Sequence, residues 1–343
     1  MGDLLTLTAL SVLVAGFVVG VVVGLTGMGG GALMTPALIF LGVGDAATVV
    51  TADLTAAAVY KSGGALVHKR EGSPDIKLAG WLVVGSVPMA LLGPHLVSWL
   101  APPGELDRVL KECIGFALLF AAATYALRLL IGLLRLRSGH HLDDTVVIRP
   151  VPTLLVGALG GLLVGITSVG SGSVIMIALL MLYPGLSAVR LVGTDLVQAV
   201  PLVLAAAISN IALHGLDLSL TLPLIVGSVP GTVLGSFIAP RVPQSVIRRG
   251  IVIVLTMSGL ALLDKAGWGP LGAGEDQTHP VYIALVGLAM LAVLPLVWGV
   301  IRRSTGLPVF GAPTLAQVED PSYRPGGWRV QRPQAEPEPA SSP

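Results

Sequence analysis

Long apolar segments separated by short polar connections dominate the pattern along the chain. Each is long enough for a helix that crosses the ~30 Å hydrocarbon layer of a bilayer. The uninterrupted segments are 45–68, 79–100, 109–134, 187–213, 219–240, 246–265 and 280–301. Two longer segments, 4–43 and 152–183, are interrupted by glycines. The pattern predicts an all-α polytopic membrane protein in which the two longest apolar segments are broken helices.

Composition and charge narrow the class further. Of the 343 residues, 54% are hydrophobic and 11% are charged, whereas a soluble domain has about 25% charged residues. The formal net charge is +1 and no basic block is present, so nucleic acid is not expected as a partner. The single cysteine, Cys113, excludes an internal disulfide and a cysteine-rich metal site. We expect a multi-pass protein of the cell membrane without a metal or other cofactor.

The two halves of the chain are copies of one unit. An offset of 141 residues aligns Gly16, Gly20, Gly24, Thr26, Gly29 and Gly31 with Gly157, Gly161, Gly165, Thr167, Gly170 and Gly172. One inserted residue later, "TADL" ending at Leu54 aligns with "GTDL" ending at Leu196, and the "GSVP" at Gly85 aligns with the "GSVP" at Gly227. Chance does not readily give such an ordered series, even in a chain with 44 glycines. The match predicts an internal duplication.

Positive charge predicts how the copies are oriented. Loops on the cytoplasmic side of membrane proteins are rich in lysine and arginine. All the basic loops face the cytoplasm only if each broken segment folds back as a hairpin to its starting side. The basic residues that lead to this conclusion are Lys69, Arg70, Lys77, Arg135, Arg137, Arg149, Arg241, Arg248, Arg249, Arg302 and Arg303. Equivalent loops then lie on opposite faces, which predicts inverted repeats, an architecture of transporters.

The predicted organisation therefore has two inverted repeats and one additional helix. Each repeat contains a glycine-broken helical hairpin followed by three transmembrane helices, and one more transmembrane helix follows near the C-terminus. The predicted boundaries are a first transmembrane repeat at 1–137, a cytoplasmic linker at 138–151, a second repeat at 152–265, an external loop and last helix at 266–301, and a disordered cytoplasmic tail at 302–343. The N-terminal apolar run lacks a preceding lysine or arginine, which favours a retained helix over a signal peptide.

The glycine breaks predict a binding site for a small anion. Irregular backbone at membrane depth is tolerated only where protein or a water-lined cavity surrounds it. A short helix is expected to begin after each break, at about Gly31 and Gly172, and its first N–H groups and positive end attract anions. The predicted substrate-binding residues are Thr26, Gly27, Gly29, Gly30, Gly31, Thr167, Ser168, Gly170, Ser171, Gly172 and Ser173. For the glycines spaced by four residues, from Gly16 and from Gly157, helix packing is the better interpretation.

Ionisable residues within apolar segments are functional candidates by default. Asp53 and Asp195 occupy equivalent positions about two turns into their helices, where they could bind a coupling H⁺ or Na⁺. The alternative is a structural pair that caps the N–H groups of the hairpins. Lys61 could attract an anion, but extension of its ammonium to the membrane surface is slightly favoured.

Other polar or helix-breaking positions have structural interpretations. Arg190, His68 and Asn210 lie near the ends of predicted helices and are expected to be interfacial groups. Pro88 and Pro230 are expected to kink closely packed scaffold helices. The "HHLDD" loop at 140–144 lacks the ligand spacing of a zinc site, so no metal is expected there.

These motifs resemble a known family. The stretches "GLTGMGGGALMTP" and "GITSVGSGSVIMI", the "TADL" and "GTDL" helix starts and the repeated "GSVP" are similar to the sulfite exporter TauE/SafE family over approximately residues 4–301. The resemblance implies a permease for sulfur-containing anions such as sulfite and organosulfonates. The chain departs from the family pattern at Asp53 and Asp195, where Ser or Asn is expected, and at Ala52, where Thr is expected. Acidic groups near an anion site indicate cation coupling or a different substrate.

The sequence thus predicts a secondary transporter that moves small sulfur-containing anions and is coupled to H⁺ or Na⁺. A passive anion channel and a transporter of another small organic anion are the alternatives. An intramembrane enzyme is not favoured, because the chain contains no HExxH motif, no visible Ser-His-Asp constellation and no clustered intramembrane histidines. The expected partners are the small anion, the lipid bilayer and a second copy of the chain, since surfaces rich in small residues can associate in lipid.

Overall fold

The computed structural model describes residues 7–26, 30–70, 74–138, 147–183, 186, 188–239, 244–268 and 279–304. Within these ranges the chain forms eleven α-helices and no strand, which confirms the all-α fold class. The helices are α1 (Leu7–Thr26), α2 (Gly31–Leu41), α3 (Ala46–Arg70), α4 (Ile76–Leu100), α5 (Leu106–Ser138), α6 (Pro150–Thr167), α7 (Val174–Leu182), α8 (Ala188–His214), α9 (Leu218–Ile238), α10 (Gln244–Lys265) and α11 (Pro280–Ser304). The 140–144 loop and the tail from 305 onward lie outside the described residues.

Seven helices in the described part of the chain are long and apolar enough to cross a membrane. They are α1, α4, α5, α6, α8, α9 and α11. Helices α3 and α10 have comparable lengths, 25 and 22 residues, and each contains four charged residues. A helix of 20 residues spans about 30 Å, the thickness of the hydrocarbon layer. The chain is therefore a multi-pass membrane protein.

Each broken segment consists of a long helix followed by a short one. In the first half, α1 has 20 residues and α2 has 11; in the second half, α6 has 18 residues and α7 has 9. Helix α2 begins at Gly31, as predicted. The second short helix, predicted to begin at about Gly172, begins two residues later at Val174, because a turn precedes α7 and the Val174 N–H donates to the Gly170 carbonyl at 3.1 Å.

The glycines spaced by four residues allow helices of the two halves to pack closely. A Cβ on Gly20 of α1 would lie 2.6 Å from the Ser228 carbonyl oxygen of α9. A Cβ on Gly161 of α6 would lie 2.6 Å from the Ser86 Cα of α4. Neither distance leaves room for a side chain, so the packing interpretation of these glycines is confirmed. The first helix of each half thus packs on the fourth helix of the repeat in the other half, and the halves interlock.

The equivalent helices α5 and α10 pack against each other in opposite directions. A Cβ on Gly115 would lie 2.7 Å from the Leu263 Cγ, while one on Gly259 would lie 3.0 Å from the Leu119 Cγ. Residues late in α10 therefore face residues early in α5, and earlier α10 residues face later α5 residues. Inverted repeats would have this relation between equivalent helices. The inversion of the complete halves, their membrane orientation and the domain boundaries stay predictions.

Equivalent aspartates begin the fourth helix of each repeat. Asp75 accepts hydrogen bonds from the backbone N–H groups of Lys77 and Leu78, both at 3.1 Å, and so caps α4. Asp217 accepts one from the Ser219 N–H at 2.8 Å and caps α9. Such caps satisfy N–H groups that have no partner within the helix. The aligned halves therefore share local hydrogen bonding as well as residue types.

Candidate functional site

The two glycine-rich loops contact each other inside the protein. Gly31, at the start of α2, lies against Ser168, which follows α6. A Cβ on Gly31 would overlap the carbonyl oxygen of Ser168 and lie 2.6 Å from its Oγ. Ser168 has a φ of 59°, a left-handed conformation that is uncommon outside glycine. The structure brings the two loops together, and their binding of a substrate stays a prediction.

Tyr60 of α3 holds the first loop. The Gly30 N–H donates to the Tyr60 hydroxyl oxygen at 3.0 Å, and a Cβ on Gly30 would overlap that oxygen. Tyr60 is 8% exposed. Sequence reasoning missed this residue, because a tyrosine in an apolar helix is commonly an ordinary core or interfacial group. Its spacing of seven residues from Asp53 was the available signal, since that spacing places both on one face of a helix.

Lys61 reaches from α3 to the second loop. Its Nζ donates to the Ser171 Oγ at 2.5 Å, and the residue is only 6% exposed. Lys61 also interacts electrostatically with Asp53 and Asp195. The expectation that its ammonium extends to the membrane surface is therefore wrong. The Ser171 hydroxyl accepts from the ammonium, and the charges of the two carboxylates offset part of the cost of burying it.

Asp53 is fully buried beside the contact between the loops. Its Oδ2 accepts a hydrogen bond from the Thr35 Oγ1 of α2 at 2.6 Å. The Ser168 side chain is also close enough to interact with the carboxylate. Its Oδ1 accepts no hydrogen bond from any residue that the structure describes. The predicted depth is confirmed, since Asp53 follows the first residue of α3, Ala46, by seven positions.

Asp195 has the same position in α8 but different neighbours. It follows Ala188, the first residue of that helix, by seven positions. Its Oδ1 accepts a hydrogen bond from the Gln198 Nε2 at 2.9 Å, and the residue is 5% exposed. The two aspartates share Lys61 as an electrostatic partner. The structure thus brings one lysine and two carboxylates from both halves into one buried cluster.

The remaining predicted site residues differ in what their polar groups do. The hydroxyls of Thr26 and Thr167 donate to carbonyl oxygens of their own helices, those of Val22 at 2.8 Å and Leu163 at 2.6 Å. The Ser173 Oγ is buried and has no hydrogen-bond partner within the described ranges.

Among the glycines of the predicted site, Gly170 has a φ of 126°, and Gly172 lies in the turn before α7. Gly27 and Gly29 lie outside the described residues.

The structure also shows where Asn210 and Arg190 lie, two residues that were expected to be interfacial groups. Asn210 is 3% exposed, and its Nδ2 donates to the Gly165 carbonyl at 3.0 Å, so the expectation of an interfacial role is wrong. This contact holds α8 against the end of α6. Arg190 is 3.4 Å from the Asp75 carboxylate near the starts of α8 and α4 and is partly exposed, which fits its predicted place at a helix end. The side chain of His68 is not among the described groups.

Comparisons with known proteins agree with this architecture. The chain is 34% identical over 256 residues to the probable membrane transporter protein YjnA of Bacillus subtilis (strain 168), covering all of that protein and 74% of this chain. It is 26% identical over 251 residues to the probable membrane transporter protein YdhB of the same strain, covering 97% of that protein and 72% of this chain. No solved structure gives a significant match.

The family assignment follows from a match to a family profile and from the identity to YjnA. The profile described as sulfite exporter TauE/SafE matches residues 12–262, which include both loops and the charged cluster. The names of the family and of both relatives indicate a membrane transporter and not an enzyme. Together with the 34% identity over a whole relative, the profile match shows that this chain belongs to the sulfite exporter TauE/SafE family of membrane transporters.

Proposed function

We propose that this protein is a secondary transporter of the cell membrane that moves a small sulfur-containing anion, such as sulfite or an organosulfonate, coupled to H⁺ or Na⁺. The observation that carries the proposal is the contact between the Lys61 ammonium and the Ser171 hydroxyl where the two loops meet. A lysine buried in the membrane-embedded part of a protein is costly and is commonly functional. Its place beside both loops supports a role in binding the charge of an anion.

The groups around Lys61 suit an oxyanion. The hydroxyls of Ser168, Ser171 and Ser173 are hydrogen-bond donors within the second loop, and the Ser173 side chain does not cap the N–H groups of α7. A sulfite or sulfonate group presents three oxygens, which can accept from a lysine, hydroxyls and backbone N–H groups together. The site therefore combines a point charge with several neutral donors, as oxyanion recognition requires.

The two aspartates support coupling to a cation. Asp53 and Asp195 interact with the same ammonium that would attract the substrate, so they compete with the anion for Lys61. A proton or Na⁺ bound at a carboxylate would remove or offset one negative charge and leave Lys61 available. These carboxylates are also the positions at which the chain departs from the pattern expected in its family.

The interlocked halves support alternating access. Helices α1 and α6 pack on α9 and α4 of the opposite half through closely fitted glycines. The loops join at the contact between the halves, where Gly31 meets Ser168. Movement of one helix group against the other would change access to a site between them, as in transporters built from repeats.

Thermal stabilisation of the purified protein by candidate anions tests this proposal. The panel contains sulfite, sulfate, thiosulfate, taurine, sulfoacetate and simple carboxylates, each with and without Na⁺ and at several pH values. A ligand present at 100 times its Kd stabilises the folded state by about 2.7 kcal/mol. We expect stabilisation by at least one sulfur oxyanion, and we expect Ser171→Ala and Gly172→Leu to weaken it while the proteins remain folded.

The outcomes separate the alternatives. Stabilisation by carboxylates alone would replace the sulfur anion with another small organic anion. Flux through proteoliposomes that does not saturate with substrate and ignores ion gradients would indicate a passive channel. If folded protein responds to none of these anions, the assignment of an anionic substrate is wrong.

A further inference from the structure

We propose that the two equivalent carboxylates have different roles: Asp53 binds the coupling proton, whereas Asp195 stays ionised as the counter-ion of Lys61. The proposal rests on the proposed function and names its coupling ion and the residue that takes it up. It departs from the symmetry of the sequence, in which Asp53 and Asp195 are indistinguishable by position. The difference lies in what the tertiary structure places around them.

The unpartnered oxygen of Asp53 is where a proton fits. Asp53 is fully buried, and its Oδ1 accepts no hydrogen bond from the described residues. A buried, unpartnered carboxylate oxygen carries the full penalty of lost hydration. A proton on Oδ1 removes the charge, leaves the bond from Thr35 to Oδ2 intact and turns Oδ1 into a donor. The Ser168 hydroxyl, which already interacts with this carboxyl group, can accept that bond.

Asp195 has a donor on its carboxylate. The Gln198 amide donates to Oδ1 at 2.9 Å, and Lys61 contributes an electrostatic interaction. Hydrogen bonds donated to a carboxylate favour the ionised form, as does a nearby cation. Asp53 also accepts one hydrogen bond and interacts with Lys61, so what sets it apart is its buried Oδ1, which accepts no hydrogen bond from the described residues. The two donors come from positions that are not equivalent: the counterpart of Gln198 in the first half is Ala56, and the counterpart of Thr35 in the second half is Met176.

The charge balance of the buried cluster gives the number of protons that accompany each anion. The cluster contains one ammonium and two carboxylates, so its formal charge is one negative when all three groups are ionised. A bound monovalent anion would raise the buried charge to two negative, and a proton on Asp53 returns it to one negative. Entry of a proton with each monovalent anion therefore leaves the charge of the site unchanged. The pair crosses the membrane without net charge.

Within the described ranges, few other titratable groups act on Asp53. On its own helix these are Tyr60 and Lys61. From α8, Asp195 acts through their shared partner, Lys61. Helices α2 and α9 contain no titratable side chain. The described titratable side chains of α5 are Asp107, which accepts from the Ala46 N–H at the far start of α3, and Arg108, Lys111, Glu112, Cys113 and Tyr125. The second loop contributes the Ser168 hydroxyl. Uptake of a proton in this cluster therefore concerns the two aspartates and Lys61.

Infrared difference spectroscopy tests the assignment without any substrate. A protonated carboxyl group in a dry site gives a carbonyl stretch distinct from that of carboxyl groups in water. We expect this band to appear in the wild-type protein as the pH is lowered, to be lost in Asp53→Asn and to persist in Asp195→Asn. Asp53→Glu, which keeps a titratable group, should retain a band. Thermal unfolding of each variant establishes that it is folded.

A transport measurement adds the stoichiometry. Methanesulfonate is the probe, because it remains a monovalent anion across the pH range. In wild-type proteoliposomes, a gradient of one pH unit should accumulate it up to about 10-fold without generating a membrane potential. Asp53→Asn should exchange methanesulfonate across the membrane but lose accumulation driven by the pH gradient.

Several results would overturn the assignment. Loss of the infrared band in Asp195→Asn with its retention in Asp53→Asn would reverse the roles of the carboxylates. Absence of the band in folded wild-type protein, or accumulation driven by Na⁺ and not by protons, would remove Asp53 as a proton site. Failure of methanesulfonate to be transported, with the band behaving as expected, would count against the proposed substrate class alone.

Discussion

Helices α3 and α8 occupy the same place in the two halves and carry different chemistry. Each has an aspartate seven residues after its first residue. In α3 the following turns add Tyr60 and Lys61, whereas the equivalent positions in α8 are Leu202 and Val203. One half therefore supplies the cation and the tyrosine, and the other half supplies the hydroxyls of Ser168 and Ser171. The buried polar cluster therefore contains groups from both halves of the chain.

The scaffold helices show the opposite behaviour. The α1–α9 and α6–α4 contacts use the same glycine spacing, and equivalent aspartates cap α4 and α9. Packing surfaces of this kind tolerate little change, because a side chain in place of a glycine meets backbone. The two halves thus share their helix-packing contacts and differ in the polar residues that surround the loops. The predictions below test that division.

Replacing Lys61 by valine, the residue at the equivalent position in α8, gives the largest expected effect. Removal of the ammonium should weaken sulfonate binding by about 10- to 100-fold, because a charge-assisted interaction is lost and two carboxylates remain without their counter-ion. Titrated thermal stabilisation measures the change. Lys61→Arg keeps the charge and should retain part of the binding, while Val203→Ala should bind within about 2-fold of wild type. Unchanged binding in Lys61→Val would show that the ammonium supplied by the first half does not bind the anion.

Gly31→Ala tests the contact between the loops. The new Cβ would overlap the carbonyl of Ser168, which is backbone and cannot rotate away, so the free energy of unfolding should fall by about 1–3 kcal/mol or more. Gly80→Ala is the control, because a Cβ there has nothing within 4 Å. That variant should be neutral or more stable by up to about 1 kcal/mol. Equal unfolding temperatures for the two variants would contradict the close approach of the loops.

Gly20→Ala and Gly161→Ala test the equivalence of the scaffold. Each Cβ would meet backbone of the facing helix, at Ser228 and Ser86 respectively. Both variants should lose about 1–3 kcal/mol of stability, and the two losses should be similar. Thermal unfolding in the same detergent measures them side by side. A large loss at one position only would mean that the two helix pairs do not play equivalent parts.

The smallest expected effect is a difference in stability between variants of the two capping aspartates, Asp75 and Asp217. Removal of a helix N-cap costs about 0.5–2 kcal/mol, so Asp75→Ala and Asp217→Ala should both be destabilising. Asp75 is also 3.4 Å from Arg190, an ion pair of a partly exposed kind worth about 0–1 kcal/mol. Asp75→Ala should therefore lower the free energy of unfolding slightly more than Asp217→Ala does. When both variants also carry Arg190→Ala, the two losses should be equal. A greater loss in Asp217→Ala would contradict this ranking.

The fold was predictable in large part because its signals are local. The apolar segment 45–68 became α3 (Ala46–Arg70), and the glycine break after α1 led to a second helix at Gly31, as predicted. The second break ended two residues later than expected, because the turn before α7 uses the Gly170 carbonyl. Hydropathy and glycine content identify breaks well, but the hydrogen bonds of a turn determine the residue at which the next helix begins.

The contacts around the two loops were predictable only in outline. Both loops and both aspartates were identified from the repeat, whereas Tyr60 and Thr35 were not. Lys61 was expected to extend its ammonium to the membrane surface, because it lies near the end of its own helix. The structure instead places the ammonium inside the protein. Its partner, Ser171, lies 110 residues away in the chain. A pattern along one helix contains no information about a group that a second helix or loop brings to it.

By itself, the sequence determined an all-α membrane protein, its duplication, its two glycine breaks and its family, because hydropathy, repeat spacing and composition are properties of the chain read in order. The tertiary structure alone decided that the loops touch at Gly31 and Ser168, that Lys61 turns inward, and that Asp53 and Asp195 have unlike neighbours. These features depend on contacts between distant segments. Charge in a bilayer is costly unless such contacts satisfy it, so the packing of the two halves determines what each charged residue can do.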